Sequence, residues 1–119
     1  MAGNGYQFLQ GTLEMLVLKT LSWGPMHGYG IAAWLANRTG GELEIEEGSL
    51  YPALHRMERR NWIDAEWQMT EKNRRAKYYR LSREGRKRLR TDAKAWSRFA
   101  GAVAEVLSGS EAPAWANSR

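Results

Sequence analysis

The 119-residue chain has no cysteine, and this absence excludes both a disulfide framework and a thiolate metal site. Its two histidines, His27 and His55, have no partner at metal-ligand spacing, so the sequence predicts no bound metal. No apolar run approaches the roughly 18 residues of a membrane-spanning helix, and the N-terminus lacks a signal-peptide pattern. We therefore expect a protein of the reducing cytoplasm that makes no contact with a membrane.

Sequence patterns of catalysis are missing as well. The chain has no glycine-rich phosphate loop, no nucleophile elbow and no pattern of paired buried carboxylates. We therefore expect neither an enzyme nor a bound cofactor. The length suits one domain, and the hydrophobic fraction of 43% permits a small core that an oligomeric partner would enlarge.

Basic charge is abundant but unevenly placed. The net charge is only +5, yet 15 of the 18 Lys and Arg residues lie between residues 55 and 98, together with 6 of the 13 acidic residues. This asymmetry indicates that a polyanion contacts the middle and later parts of the chain. Taken alone, the charge is equally compatible with a solvated, salt-bridged surface.

Hydrophobic periodicity predicts three helices in the first half of the chain. Leu9, Leu13, Leu16, Val17 and Leu21 mark the first helix, which ends in the turn at residues 22–25. The second helix is predicted over about residues 27–38, where Gly40 and Gly41 stop it. An acidic connector over residues 42–47 leads to the third helix, at residues 48–61.

The third helix has one apolar and one polar face. Ser49 is predicted as its N-cap, with Pro52 in the first turn, where the missing N–H is not needed. Leu50, Leu54 and Met57 recur at the spacing of a core-facing stripe. The opposite face offers Ser49, Tyr51, His55, Arg56, Arg59 and Arg60. Such a face suits the major groove of DNA, although a purely structural helix fits the periodicity equally well.

After residue 61 the period changes to that of strands. Residues 62–69 and 77–81 are predicted as two strands, with a polar hairpin tip at residues 70–76. Three helices followed by a hairpin predict a winged helix-turn-helix, mainly α with a small β-hairpin wing. The cations Lys72, Arg74, Arg75 and Lys77 are then expected to contact phosphates or the minor groove. An ordinary polar hairpin tip is the alternative.

Two adjacent tyrosines in the second predicted strand must point to opposite faces of the sheet. One of Tyr78 and Tyr79 is expected in the core, while the other donates its hydroxyl to a phosphate. The pattern does not choose between them.

A long final helix is predicted from about Ser82 to residue 108. Its apolar positions step by four and three, as in a heptad seam, and Phe99 and Val106 widen the stripe. We expect this seam to be a dimer interface formed by Leu89, Ala93, Trp96, Phe99, Ala100, Val103 and Leu107. The alternative is packing on the first helix. Trp96 is also a possible ligand contact, since paired Trp faces at a two-fold axis can accept a flat aromatic compound.

The chain resembles the PadR family of bacterial transcriptional regulators. The segments that carry the resemblance are Leu16-Val-Leu-Lys-Thr-Leu21, Pro25-Met-His-Gly-Tyr29, Gly48-Ser-Leu-Tyr-Pro52 followed by Leu54-His-Arg-Met-Glu58, and Arg75-Ala-Lys-Tyr-Tyr-Arg-Leu-Ser82 with Gly85. The single C-terminal helix is similar to that of the family's smaller subgroup. Two positions depart from the family pattern: Gly30 stands where an acidic residue is usual, and Asn61 where a helix-ending glycine is common.

The resemblance implies a homodimeric winged-helix repressor that binds a palindromic operator and, in some members, releases it when a phenolic or aromatic compound binds. Residues 1–81 are then the DNA-binding domain, residues 82–108 the dimerisation helix and residues 109–119 a flexible tail. The expected DNA-binding residues are Tyr29, Ser49, Tyr51, His55, Arg56, Lys72, Arg74, Arg75, Lys77 and Tyr78. Six Trp residues leave one alternative, a winged-helix adaptor that binds another protein instead of DNA.

Overall fold

A computed structural model describes residues 11–117 of the chain. The elements in chain order are α1 (Thr12–Leu21), β1 (Met26–His27), α2 (Gly28–Arg38), α3 (Glu47–Arg59), β2 (Ile63–Met69), β3 (Arg75–Leu81), α4 (Arg83–Ser108) and a 3₁₀ turn (Ala114–Asn117). The predicted order of three helices, a hairpin and a long helix is confirmed, and the fold is a mainly α winged helix. Leu9, predicted to open the first helix, lies outside the described residues.

The core lies where the apolar stripes of α1, α2 and α3 meet one face of the sheet. Val17, Leu18, Ile31 and Leu54 are fully buried there. The stripe predicted for the third helix is confirmed, because Leu50, Ala53, Leu54 and Met57 are the buried residues of α3. Burial of this stripe turns the opposite face of α3 outward.

The sheet has three antiparallel strands in the order β1-β3-β2, one more than the sequence predicts. β1 is only two residues long and pairs Met26 with Tyr79 and His27 with Tyr78. A strand this short carries no detectable alternation, which explains why the pattern misses it. Its pairing ties the start of α2 to the hairpin.

The hairpin tip is shorter than predicted, because Arg75 and Ala76 belong to β3. The Thr70 N–H donates to the Arg74 carbonyl at 2.7 Å, and Asn73 adopts a left-handed φ of 62° inside the turn. Asn tolerates this conformation at little cost, so the chain reverses within a few residues. The pairing then runs from Ile63 opposite Leu81 to Met69 opposite Arg75, and we call residues 63–81 the wing.

The N-cap of the third helix was predicted three residues too late. α3 begins at Glu47 with Glu46 as its N-cap, and the Ser49 N–H already donates to the Glu46 carbonyl at 3.0 Å. Ser49 is therefore inside the first turn and is not the N-cap. Pro52 lies in the second turn, where its missing N–H leaves the Gly48 carbonyl without an intrahelical donor.

The end of α3 and the start of α4 form one close joint. Asn61 ends α3 with a left-handed φ of 62°, so this departure from the family pattern is accommodated. The predicted start of the final helix at about Ser82 is confirmed, and Ser82 is the N-cap of α4: its Oγ accepts from the Gly85 N–H at 3.0 Å and donates to the Asn61 carbonyl at 2.6 Å. A β-carbon on Gly85 would collide with the Trp62 carbonyl, so only glycine fits.

The long helix α4 packs on the core only through its first turns. Gly85 is its one buried residue among those described, and Leu89 packs half-buried against the core. Beyond this point α4 extends from the domain, and the described part of the molecule measures 68 × 30 × 21 Å. No helix within residues 11–117 combines the length and apolar character needed to span a membrane.

Candidate nucleic-acid interface

A groove with a volume of about 980 Å³ lies between the start of α2, the outer face of α3 and the wing. We call it the wing groove. It brings together eight of the ten residues predicted to bind DNA: Tyr29, Tyr51, His55, Lys72, Arg74, Arg75, Lys77 and Tyr78. These residues come from three separate segments of the chain, and only the fold makes them neighbours.

On the α3 wall, Tyr51 and His55 differ in how firmly they are held. His55 is exposed on the outer face of the helix. Tyr51 is 38% exposed, and its ring lies over Gly28, where an added β-carbon would be 2.8 Å from the Tyr51 hydroxyl oxygen. The absence of a side chain at Gly28 therefore lets the Tyr51 ring pack against the start of α2. This contact fixes the position of the phenol, which faces the groove.

Ser49 and Arg56, the other two predicted residues, do not line the wing groove. Ser49 is exposed near the start of α3. The Arg56 guanidinium turns toward α1, where Nη2 and Nε donate to Glu14 Oε2 at 2.9 and 3.2 Å. The Glu14 side chain is only 11% exposed, so this ion pair is shielded from water on one side. The ion pair of Arg56 with Glu14 therefore links α3 to α1.

The wing supplies the cations, and the structure divides them into two kinds. Lys72 and Arg74 stand exposed at the tip, with no intramolecular salt bridge within the described chain. The Arg75 guanidinium lies over the Trp67 ring, 4.8 Å from its centre. Lys77 donates to Glu58 Oε1 at 3.2 Å and lies 5.7 Å from the centre of the Tyr79 ring. The tip cations are thus free for a ligand, whereas Lys77 also joins the wing to α3.

The structure decides between the two tyrosines of β3. Both tyrosines border the wing groove, but Tyr79 is 2% exposed and belongs to the core, whereas Tyr78 is half-buried and presents part of its surface to the groove. Burial raises the pKa of the Tyr79 phenol, and the nearby Glu58 carboxylate and Tyr51 phenol raise it further. Tyr79 is therefore neutral and structural, and only Tyr78 is placed to meet a ligand.

Several groove residues were not predicted from the sequence, among them the aromatic side chains His27 and Trp67. His27 is the N-cap of α2, and its Nδ1 accepts from the Gly30 N–H at 2.9 Å. Trp67 lies on the groove side of β2 and is more than half exposed. The alternation of β2 places Trp67 on the same face as Ala65 and could have identified it. No sequence pattern distinguished His27 from an ordinary structural histidine.

The groove is rich in hydrogen-bond donors and cations, and its aromatic rings are flat and partly exposed. Guanidinium, ammonium and phenol groups bind phosphate oxygens and base edges. Among the described residues there is no group of three His, Asp or Glu side chains that could hold a metal ion. The arrangement suits a polyanion.

A second surface lies on α4, opposite in character to the groove. Trp96 and Phe99 contact each other with ring centres 5.8 Å apart, and Trp96 is 40% exposed. Val103 is similarly half-covered, while Val106 and Leu107 are both 79% exposed. We call Trp96, Phe99, Val103, Val106 and Leu107 the α4 stripe. Within the described chain these side chains stay largely exposed, although α4 also packs against α1.

The three-helix core, the wing and the donor-rich groove between them define a winged-helix transcription regulator that binds DNA. The chain belongs to the PadR-like family of transcriptional regulators, whose family model matches residues 17–91. It is therefore a regulator and not an enzyme. The match includes all of α2, α3, the wing and the first turns of α4.

Solved structures of this family share the fold over most of the chain. A PadR-like transcriptional regulator from Bacillus cereus is 27% identical, with a TM-score of 0.75 over 87% of this chain and 99% of the other. A PadR family transcriptional regulator from Eggerthella lenta is 33% identical, with a TM-score of 0.70 over 83% of this chain and 84% of the other. A PadR family regulator from Clostridium difficile is 32% identical, with a TM-score of 0.67, over 83% of this chain and all of the other.

Proposed function

We propose that the protein is a homodimeric, cytoplasmic repressor that binds a pseudo-palindromic operator through two copies of the wing groove. The observation that carries the proposal is the convergence of eight predicted DNA-binding residues from α2, α3 and the wing on one groove. Residues 1–81 contain the DNA-binding part, and residues 82–108 form the dimerisation helix. Residues 109–119 form the C-terminal tail.

In this proposal the outer face of α3 enters the major groove. Ser49, Tyr51 and His55 face base edges or phosphates, and Tyr29 and Tyr78 flank them from α2 and the wing. Lys72, Arg74 and Arg75 contact the backbone beside the site or the adjacent minor groove. Arg56 has a supporting role, because its ion pair with Glu14 holds α3 on α1.

The dimer is proposed to form along α4. The helix has 26 residues and is therefore about 39 Å long at 1.5 Å per residue. The α4 stripe, continued by Leu89, Ala93 and Ala100, runs along one side at heptad spacing. Pairing two copies would remove these side chains from water, at roughly 25 cal/mol per Å² of apolar area.

Dimer symmetry sets the form of the operator. A two-fold axis relates the two α3 helices, so the proposal requires two half-sites of opposite orientation, about one helical turn of DNA apart. We propose repression as the outcome, since a dimer seated on such a site blocks access of other proteins to the same DNA.

We further propose that a planar aromatic effector releases the operator by binding between the Trp96 rings of the dimer. The support is the position of Trp96 on the α4 stripe beside Phe99, where two copies would face each other across the axis. Release requires that the effector bind one dimer shape more tightly than the other. Quenching of Trp fluorescence by planar aromatics is the expected result, and an unquenched signal in the presence of each compound counts against this site.

Selection of bound sequences from a random duplex pool tests the main proposal. The expected result is a pseudo-palindromic motif whose binding weakens steeply with salt, by about 0.9 in the slope of log K against log salt for each phosphate contacted. A salt-independent affinity, or an unsymmetric motif, would contradict it. Failure to retain any duplex would favour the adaptor that binds another protein through its exposed Trp residues.

A further inference from the structure

His27 is held in a single tautomeric form by the first turn of α2. Its Nδ1 accepts a hydrogen bond from the Gly30 N–H at 2.9 Å, so this nitrogen carries no hydrogen. A neutral imidazole has one donor and one acceptor nitrogen. The ring hydrogen is therefore on Nε2, and the cap of α2 turns His27 into a hydrogen-bond donor.

The imidazole ring is also fixed in orientation. It meets the edge of Tyr78, with ring centres 5.1 Å apart and an angle of 75°, and it stacks on Tyr29 at 6.4 Å. The backbone of His27 pairs with Tyr78 in the sheet. Gly30 leaves room for this position of the ring, because a β-carbon there would lie 3.1 Å from His27 Cε1 and would collide with Met26. The donor is therefore preorganised, and ordering it on binding costs little.

The Nε2–H group has no protein acceptor within the described chain. The hydrogen bond from Gly30 is the only one that the His27 side chain makes there, and the ring lines the wing groove. Capping α2 does not require histidine, because Asn, Asp or Ser would cap the helix at least as well. The oriented Nε2–H donor in a groove suited to a polyanion therefore indicates a second function for His27.

We propose that His27 anchors the operator by donating its neutral Nε2–H to a backbone phosphate oxygen. This inference rests on the proposed function, since it assumes that DNA occupies the wing groove. A phosphate is favoured over a base edge because the N-terminal turn of α2, with its positive dipole end, opens at the same place. His27 would then fix the position of α2 on the backbone while adding no positive charge.

The neutral character of this contact gives it a distinct experimental signature. His27→Ser keeps an oxygen that can cap the Gly30 N–H and removes the Nε2 donor. We expect roughly tenfold weaker binding to a labelled duplex carrying the selected motif, which is the scale of one hydrogen bond to a charged group. The slope of log K against log salt should stay that of the wild type, because no cation is lost.

The matched control is Arg74→Ala, which removes a charge from the same groove. It should weaken binding and also reduce the salt slope by about 0.9. His27→Asn serves as a second capping variant. The melting temperatures of His27→Ser and His27→Asn should match that of the wild type. A phosphate contact lowers the affinity for mutated half-sites and for the selected motif equally.

Nitrogen-15 NMR of the unaltered protein tests the same contact without a mutation. We expect the free protein to show the Nε2–H tautomer and the Nε2 proton to shift when the selected duplex is added. If the wild type binds no duplex, the proposed function itself fails. If the wild type binds but both His27 variants bind as tightly, or if the Nε2 signal does not move, the His27 contact is wrong. A variant that changes the salt slope, or the preference at one base pair, overturns the neutral phosphate contact.

Discussion

The wing groove and the α4 stripe differ in how far contacts within the protein fix their side chains. In the groove, neighbouring residues hold the side chains that we propose contact DNA. Tyr51 packs over Gly28, Arg75 lies over the Trp67 ring, and Lys77 donates to Glu58. On α4, Val106 and Leu107 are exposed and have no intramolecular cover among the described residues. A polar surface can be ordered before its ligand arrives, because water solvates whatever is left open. An apolar surface is complete only when another surface covers it.

The largest expected effect comes from placing a charge in the α4 stripe. Trp96→Asp should weaken the dimer by about 2–4 kcal/mol, the range of interface hot spots, because a carboxylate would be buried at the centre of the seam. Analytical ultracentrifugation measures the change. The matched control is Arg98→Gln, two residues along α4 and on another face of the helix, which should leave the dimer intact. A Trp96→Asp protein as dimeric as the wild type would refute the α4 interface.

A smaller loss is expected at the joint where α4 leaves the DNA-binding part. Gly85→Ala drives a methyl group into the Trp62 carbonyl, so we expect about 1–3 kcal/mol of lost stability, the usual cost of overpacking. Gly101→Ala, in the same helix but in open space, should instead stabilise by up to about 1 kcal/mol. Urea denaturation of both variants measures the difference. Equal stabilities would show that the joint yields without cost.

Within the groove, the two kinds of cation should separate by their salt dependence. Arg74→Ala should reduce the slope of log K against log salt by about 0.9, since Arg74 has no carboxylate partner within the described chain. Lys77→Ala should reduce the slope by less, because its charge is partly neutralised by Glu58 at 3.2 Å. Titrations of the selected duplex at several salt concentrations give both slopes. Identical slopes for the two variants would mean that Lys77 leaves Glu58 when DNA binds.

The smallest effect concerns the core side of the wing and is absent at neutral pH. Burial raises the pKa of Tyr79 in the folded state, so below about pH 10 both states keep this proton and Tyr79 adds no pH dependence to the stability. Above that value the unfolded chain releases the proton first, and stability falls as the pH rises. Tyr79→Phe should flatten this alkaline decline in thermal melts. Tyr29→Phe, at an exposed position, should leave it unchanged.

The sequence predicted the fold well where periodicity is long. The apolar stripe of α3, the two long strands and the start of α4 near Ser82 follow from spacing and from residue chemistry. The start of α3 was placed too late, because Ser49 and Pro52 together imitate a helix start while the acidic residues before them give no stronger signal. The strand β1 was missed because two residues carry no period.

The site was predicted less evenly than the fold. The cations of the wing and Tyr51 could be named because residue type and element order suffice. The ion pair of Arg56 with Glu14, which lies 42 positions away in the chain, was not predicted, because no local pattern links the two residues. His27 was missed for the same kind of reason: its donor nitrogen is determined by a hydrogen bond to Gly30 and by two rings from other elements.

The two-residue strand β1 has a mechanical consequence. Because Met26 and His27 pair with Tyr79 and Tyr78, backbone hydrogen bonds connect the α2 side of the wing groove to the wing. Movement of the wing away from the helices would break the hydrogen bonds between β1 and β3. We therefore expect the width of the wing groove to stay nearly constant. We expect such a protein to be strict about the shape of each half-site. Its tolerance for variation should lie instead in the distance between half-sites, which in the proposed dimer depends on the contacts between the two α4 helices.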